Sequence, residues 1–120
     1  MSGELPPQVQ NQLAQLQQVQ QQAQALAQQK NQLEIMVKES DMALGELGKI
    51  DADVTVFKNI GNLMIKAEKG NVVEDLKEKK ETLDLRLKTI VRQEERIHKR
   101  FTQLQEQLKT SVGSPGMHAE

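Results

Sequence analysis

The residues best suited to act on a small molecule are not spaced to do so. Gly45-Glu46-Leu47-Gly48-Lys49 carries the glycines and lysine of a phosphate-binding loop. Such a loop needs four residues between its glycines, and a Ser or Thr after the lysine to reach the metal ion. Here two residues separate the glycines and Ile50 follows Lys49, so a helix end accounts for them better. His98 lies between Ile97 and Lys99, with Thr102 where a helical metal site would place its second ligand. Arg92, Arg96, Lys99 and Arg100 form a basic stripe, but Glu94 and Glu95 interleave it and the net charge is −1. A nucleic-acid footprint needs a stronger basic field. Carboxylates are plentiful, yet on solvated helices they lack a cleft to perturb them. With no cysteine, disulfide scaffolds and thiolate zinc sites are excluded. The expectation is a protein that is not an enzyme, with no cofactor, no metal and no nucleic acid.

The composition also argues against an ordinary globular core. In 120 residues only 37% are hydrophobic, and the aromatics are two phenylalanines, Phe57 and Phe101. Compact domains use large aromatics to fill their interiors. No apolar run approaches a membrane span or a signal-peptide core, so a cytoplasmic protein with no membrane partner is expected. The arrangement of the few apolar residues must carry the fold.

That arrangement is a heptad, twice. Steps of four and three from Leu5 visit Val9, Gln12, Leu16, Val19, Ala23, Leu26, Lys30, Leu33, Val37, Ser40, Leu44 and Leu47. Ten of these thirteen are apolar, the seam of a coiled-coil helix. Gln dominates the remainder of 8–33 and is a good helix former, so the segment reads as helix and not as a disordered polar tract. Pro6 and Pro7 suit a helix start, and Gly45 and Gly48 its end, giving a first helix over 7–47. The same stepping from Val73 visits Leu76, Lys80, Leu83, Leu87, Ile90, Glu94, Ile97, Phe101, Leu104 and Leu108, nine of eleven apolar. Asn71 and Glu74 form a capping pair, which predicts a second helix over 72–110 and a disordered tail over 111–120. Between the helices, Val54 to Ile60 is β-branched and Leu63 to Ala67 is apolar, with Gly61-Asn62 as a two-residue turn. This predicts a β-hairpin over 54–67. Met36, Met42 and Met64 read as packing residues.

The fold class is therefore mainly α: a long antiparallel two-helix coiled coil joined by a single β-hairpin. About 40 residues at 1.5 Å each make helices of about 60 Å. Two strands alone are marginal in water. This hairpin has apolar side chains on both faces: Val54, Val56, Ile60, Leu63 and Ile65, but also Phe57 and Met64. One coiled coil cannot cover them or the strand edges, so the hairpin must join those of other chains in an intersubunit sheet or barrel. At the free helix ends lie Leu5, Val9, Leu13 and Leu16, opposite Phe101, Leu104, Leu108 and Val112. Leu13 and Val112 fall one step off the heptad, and no charge occurs from Leu5 to Gln29. These ends suit adaptable hydrophobic contact; a coiled coil that simply frays is the other reading.

The order helix, hairpin, helix resembles the β-type subunit of the prefoldin family, in its archaeal form. The similarity lies in Val56-Phe57-Lys58-Asn59-Ile60-Gly61-Asn62-Leu63-Met64-Ile65-Lys66, then Val72-Val73-Glu74-Asp75-Leu76-Lys77, and in the charged run from Lys79 to Arg96. It implies an α2β4 hetero-hexamer with an α-type prefoldin subunit, its hairpins building β-barrels. It further implies a co-chaperone that captures non-native polypeptides at its coiled-coil tips without ATP and passes them to a group II chaperonin. The eight end residues named above would then carry substrate contact. In the alternative reading, the chain is a structural coiled-coil adaptor for one folded partner.

Overall fold

The computed structural model describes residues 5–119, with side chains for 5–112. The order is α1 (Pro7–Leu47), β1 (Val56–Ile60), β2 (Leu63–Ala67) and α2 (Lys69–Ala119). Pro7 opens α1, where a missing amide donor costs nothing, and the Pro6 carbonyl accepts the first helical bond from Gln10 N–H at 3.0 Å. At the other end Gly48 N–H reaches the Leu44 carbonyl. The next two donors tighten onto Glu46 and Leu47, three residues back, and the helix closes as a 3₁₀ turn.

β1 and β2 pair antiparallel, Ile60 opposite Leu63 and Val56 opposite Ala67. Gly61 takes a φ of +59°, while no non-glycine residue described has a positive φ. A two-residue loop with its positive φ at the first position only is the II′ pattern, which requires glycine there.

α2 departs from the expected bounds at both ends. It starts at Lys69, not 72, because β2 ends at Ala67 and only Glu68 intervenes. The Glu68 carbonyl accepts the first helical bond, from Val72 N–H at 3.1 Å, so Asn71 lies within the first turn and is not the cap. At the far end the helical backbone continues to Ala119, past 110, where the sequence suggested a disordered 111–120 tail. Once a helix is nucleated each further residue adds a bond. Glu120 and the side chains of 113–119 lie outside the described residues.

The chain forms two units, Lys30–Thr89 and Met1–Gln29 with Ile90–Glu120. In the hairpin unit, Leu83 is buried at 2% exposure. Leu33, Val37, Leu44 and Leu47 of α1 are half-buried, as are Val73, Leu76 and Leu87 of α2. Ser40 is buried, and Lys80 places its ammonium on the Asp41 carboxylate one residue on. That carboxylate, by hydrogen bond and charge, raises the Lys80 pKa above its ordinary value.

In the terminal unit Val9, Val19, Ile90 and Leu104 are buried, and Leu16, Leu26, Ile97, Phe101 and Leu108 are half-buried. Gln12 Nε2 donates to Ser111 Oγ at 3.2 Å, and Arg100 donates to Gln15 Oε1 at 3.4 Å. Positions advance on α1 as they recede on α2, so the helices are antiparallel here. Ala23 is the exception among the heptad positions of this unit between Val9 and Leu108. It is exposed, because a methyl is too short to reach across, and a cleft of 540 Å³ opens among Ala23, Ile97 and Phe101.

Candidate functional site

The hairpin is the largest apolar feature that its own unit leaves uncovered. Alternation along β1 and β2, with the observed register, sorts the side chains onto two faces. One face carries Val56, Lys58, Ile60, Leu63, Ile65 and Ala67; the other carries Phe57, Asn59, Met64 and Lys66. Val56, Lys58 and Ala67, at the end away from the turn, are half-buried. Lys58 pairs with Asp75 of α2 at 3.2 Å, and Lys69 donates to the Ile50 carbonyl at 2.7 Å, which anchors the strand base to the helix. Phe57 is 56% exposed, Leu63 66% and Met64 69%, and Val54, Ile60 and Ile65 are also exposed. Gly61 meets nothing within 4 Å of where a Cβ would stand, so the turn too is open. Exposed apolar side chains on both faces of a two-stranded sheet are the signature of a surface awaiting a partner.

The end residues divide into two sets. Val9 and Leu104 are 4% and 1% exposed, which makes them seam residues of the terminal unit. The seam therefore holds its pattern to the first turns of α1. Leu5, Leu13 and Val112 are exposed, and Leu16, Phe101 and Leu108 lie between. Leu16, Leu108 and Val112 line a groove of 640 Å³ with the stems of Gln105 and Lys109. A second groove, of 730 Å³, is lined by glutamines of both helices.

Three exposed side chains escape a seam-based reading. Ile35, Met42 and Leu85 each stand two residues past a heptad position, about 200° round the helix and so away from the seam. Met36 and Met42 are exposed and do not pack within their own unit as the sequence suggested, and Met64 is exposed on the hairpin. Among the described residues no group of three or more potential metal ligands converges, and no helix is long and apolar enough to cross a membrane.

Comparison with known proteins gives this arrangement a lineage. Residues 10–114 match a family model described as "Prefoldin subunit". The prefoldin subunit beta of Methanococcoides burtonii is 66% identical over 97% of this chain and 99% of that protein. That of Archaeoglobus fulgidus is 49% identical over 89% of this chain and 92% of its own. The crystal structure of the prefoldin beta subunit from Thermococcus strain KS-1 is similar at a TM-score of 0.83 and 38% identity, covering 93% of this chain and 98% of that one. With two long helices, a single hairpin between them and relatives matched nearly end to end, the chain belongs to the prefoldin subunit family, in its beta type.

Proposed function

We propose that this chain is a subunit of an ATP-independent holdase. It assembles through its hairpin with an α-type prefoldin subunit as an α2β4 hetero-hexamer. It captures non-native polypeptides at the free helix ends and delivers them to a group II chaperonin in the cytoplasm. The observation that carries the reading is the hairpin, whose Phe57, Leu63 and Met64 are more than half exposed. Water contact at these side chains is worth relieving, and adding strands from other chains relieves it while pairing the open edges. Assembly with further prefoldin subunits accords with the family.

Capture rests on the ends. Leu5, Leu13 and Val112 offer exposed apolar contacts, and Leu16, Phe101 and Leu108 add half-buried ones. Val9 and Leu104 contribute only where a bound chain parts the helices. Each contact is weak, and several subunits acting together supply avidity.

The test is removal of residues 1–16 and 101–120 from every copy in the assembled complex. The complex should remain an assembly of six chains, its mass lower only by the residues cut from each copy, and lose suppression of aggregation for unrelated unfolded proteins. Undiminished suppression would place capture elsewhere. An intact chain that protects no unfolded protein yet retains one folded partner would establish the adaptor reading instead.

A further inference from the structure

The groove lined by glutamines has a chemistry that hydrophobic capture does not require. Gln8 and Gln12 of α1 face Gln103 and Gln107 of α2, with the hydroxyls of Thr110 and Ser111. Glu106 is the single charged side chain in the lining. Gln12 is the informative member. Its Nε2 donates to Ser111 Oγ, while its Oε1 is buried with no partner. Reversing the amide does not remove the deficit. Ser111 would then donate to Oε1, and the NH2 would be the end left wanting. A buried amide end without a partner costs free energy, which is recovered when the Gln12 side chain turns out into the groove it lines and meets an incoming group of the right kind.

We propose that this groove binds the main chain of an extended polypeptide, with Gln12 and its neighbouring amides exchanging hydrogen bonds with backbone N–H and C=O groups. The inference rests on the capture reading and names the part of the substrate that is recognised. Side-chain amides carry both a donor and an acceptor, as the peptide group does, so they match any sequence. Gln103 to Ser111 spans eight residues, about 12 Å of helix, which is the length of three to four extended residues. An unfolded chain offers such a stretch of unpaired backbone. A folded protein has already satisfied its own. The adjacent groove of Leu16, Leu108 and Val112 is left for apolar side chains.

The test uses the assembled complex and a fluorescent, capped, uncharged peptide rich in Leu and Ser. Its counterpart has alternate backbone nitrogens methylated, which removes donors and keeps the side chains. The unmodified peptide should bind about tenfold tighter, equivalent to about 1.4 kcal/mol. In complexes carrying Gln12→Leu with Gln107→Leu, that ratio should fall to near one. Leu is a good helix former and an ordinary seam residue, so the helices are retained and their melting is the control. Equal binding of the two peptides by the native complex overturns this inference alone, as does a tenfold ratio that survives the substitutions. Absence of binding by either peptide overturns the capture reading, and this inference with it.

Discussion

Leu63 is the residue at which assembly through the hairpin is most cleanly tested. It stands beside the turn, opposite Ile60, with 66% of its surface exposed. Complete burial of a leucine is worth about 1.5–3 kcal/mol, so about 1–2 kcal/mol remains to be gained when other strands cover it. Leu63→Ala forfeits most of this, weakening each chain's hold on the assembly by about tenfold. Taken as additive over four copies, the loss lowers the stability of the proposed hexamer by about 4–8 kcal/mol. The unassembled chain should change by no more than about 0.5 kcal/mol, as an exposed surface site does. Ile65 is a poorer probe, because its strand partner is Lys58, which could neutralise an introduced carboxylate. The assay is native mass spectrometry across a dilution series, with helix melting of the free chain alongside. An unchanged dissociation midpoint with a markedly lower melting temperature would refute the reasoning, since Leu63 would then be working within its own chain.

The other sites give contrasting outcomes. Leu83→Ala should cost about 2–5 kcal/mol in a denaturant melt, because Leu83 is buried in the seam. Leu85→Ala, on the opposite face, should stay within about 0.5 kcal/mol; similar losses would put the seam in the wrong place. Gly61→Ala should loosen the hairpin by about 1–2 kcal/mol, a conformational cost, because the space around it is open and only the φ of +59° resists. Gly45→Ala, within α1 and equally uncrowded, should stabilise by about 0.5–1 kcal/mol in the same melt. Lys80 titrates above its ordinary value because Asp41 favours its charged form, so on the alkaline side the pair's stability is fully present below the ordinary lysine pKa. That stability is lost as pH rises through the raised value, and Asp41→Asn should remove this alkaline loss from a pH series of melts.

The seam and the hairpin were legible because each is set by a local period. Every heptad position from Val9 to Leu47 and from Val73 to Leu108 is buried or half-buried, Ala23 excepted, and Gly61-Asn62 turns the chain where its residue types require. The start of α2 was misread because two signals competed. Asn71 and Glu74 form a plausible cap, but β2 delivers the chain at Ala67, and the strand's end, a pairing fact, decides where the helix begins. The end residues were half legible. Heptad position placed Leu5 through Leu16 and Phe101 through Val112 at one level, but it says nothing of how tightly the last turns close. Only the structure separates buried Val9 and Leu104 from exposed Leu13 and Val112. The polar groove could not be read at all, since it depends on which glutamines of two helices meet across the seam.

The distribution of charge makes sense once the two units are given the separate tasks proposed for them. From Lys30 to Thr89 the chain carries charges throughout, and several are engaged in fixing geometry: Lys80 on Asp41, Lys58 on Asp75, Lys69 on the Ile50 carbonyl. These contacts within the chain fix the geometry that the hairpin presents, which suits the proposed joining of particular subunits in one register. From Leu5 to Gln29 there is no charge, although the α2 residues across the seam keep theirs. An exposed ion must be desolvated when a polypeptide settles on it, at a cost few sequences could repay, and it repels or selects by sign. A glutamine amide sheds water far more cheaply and answers either a donor or an acceptor. Under the proposed function, a helix end built from glutamine and a few exposed leucines would therefore accept many unfolded sequences weakly, while the charged hairpin unit would accept few partners well.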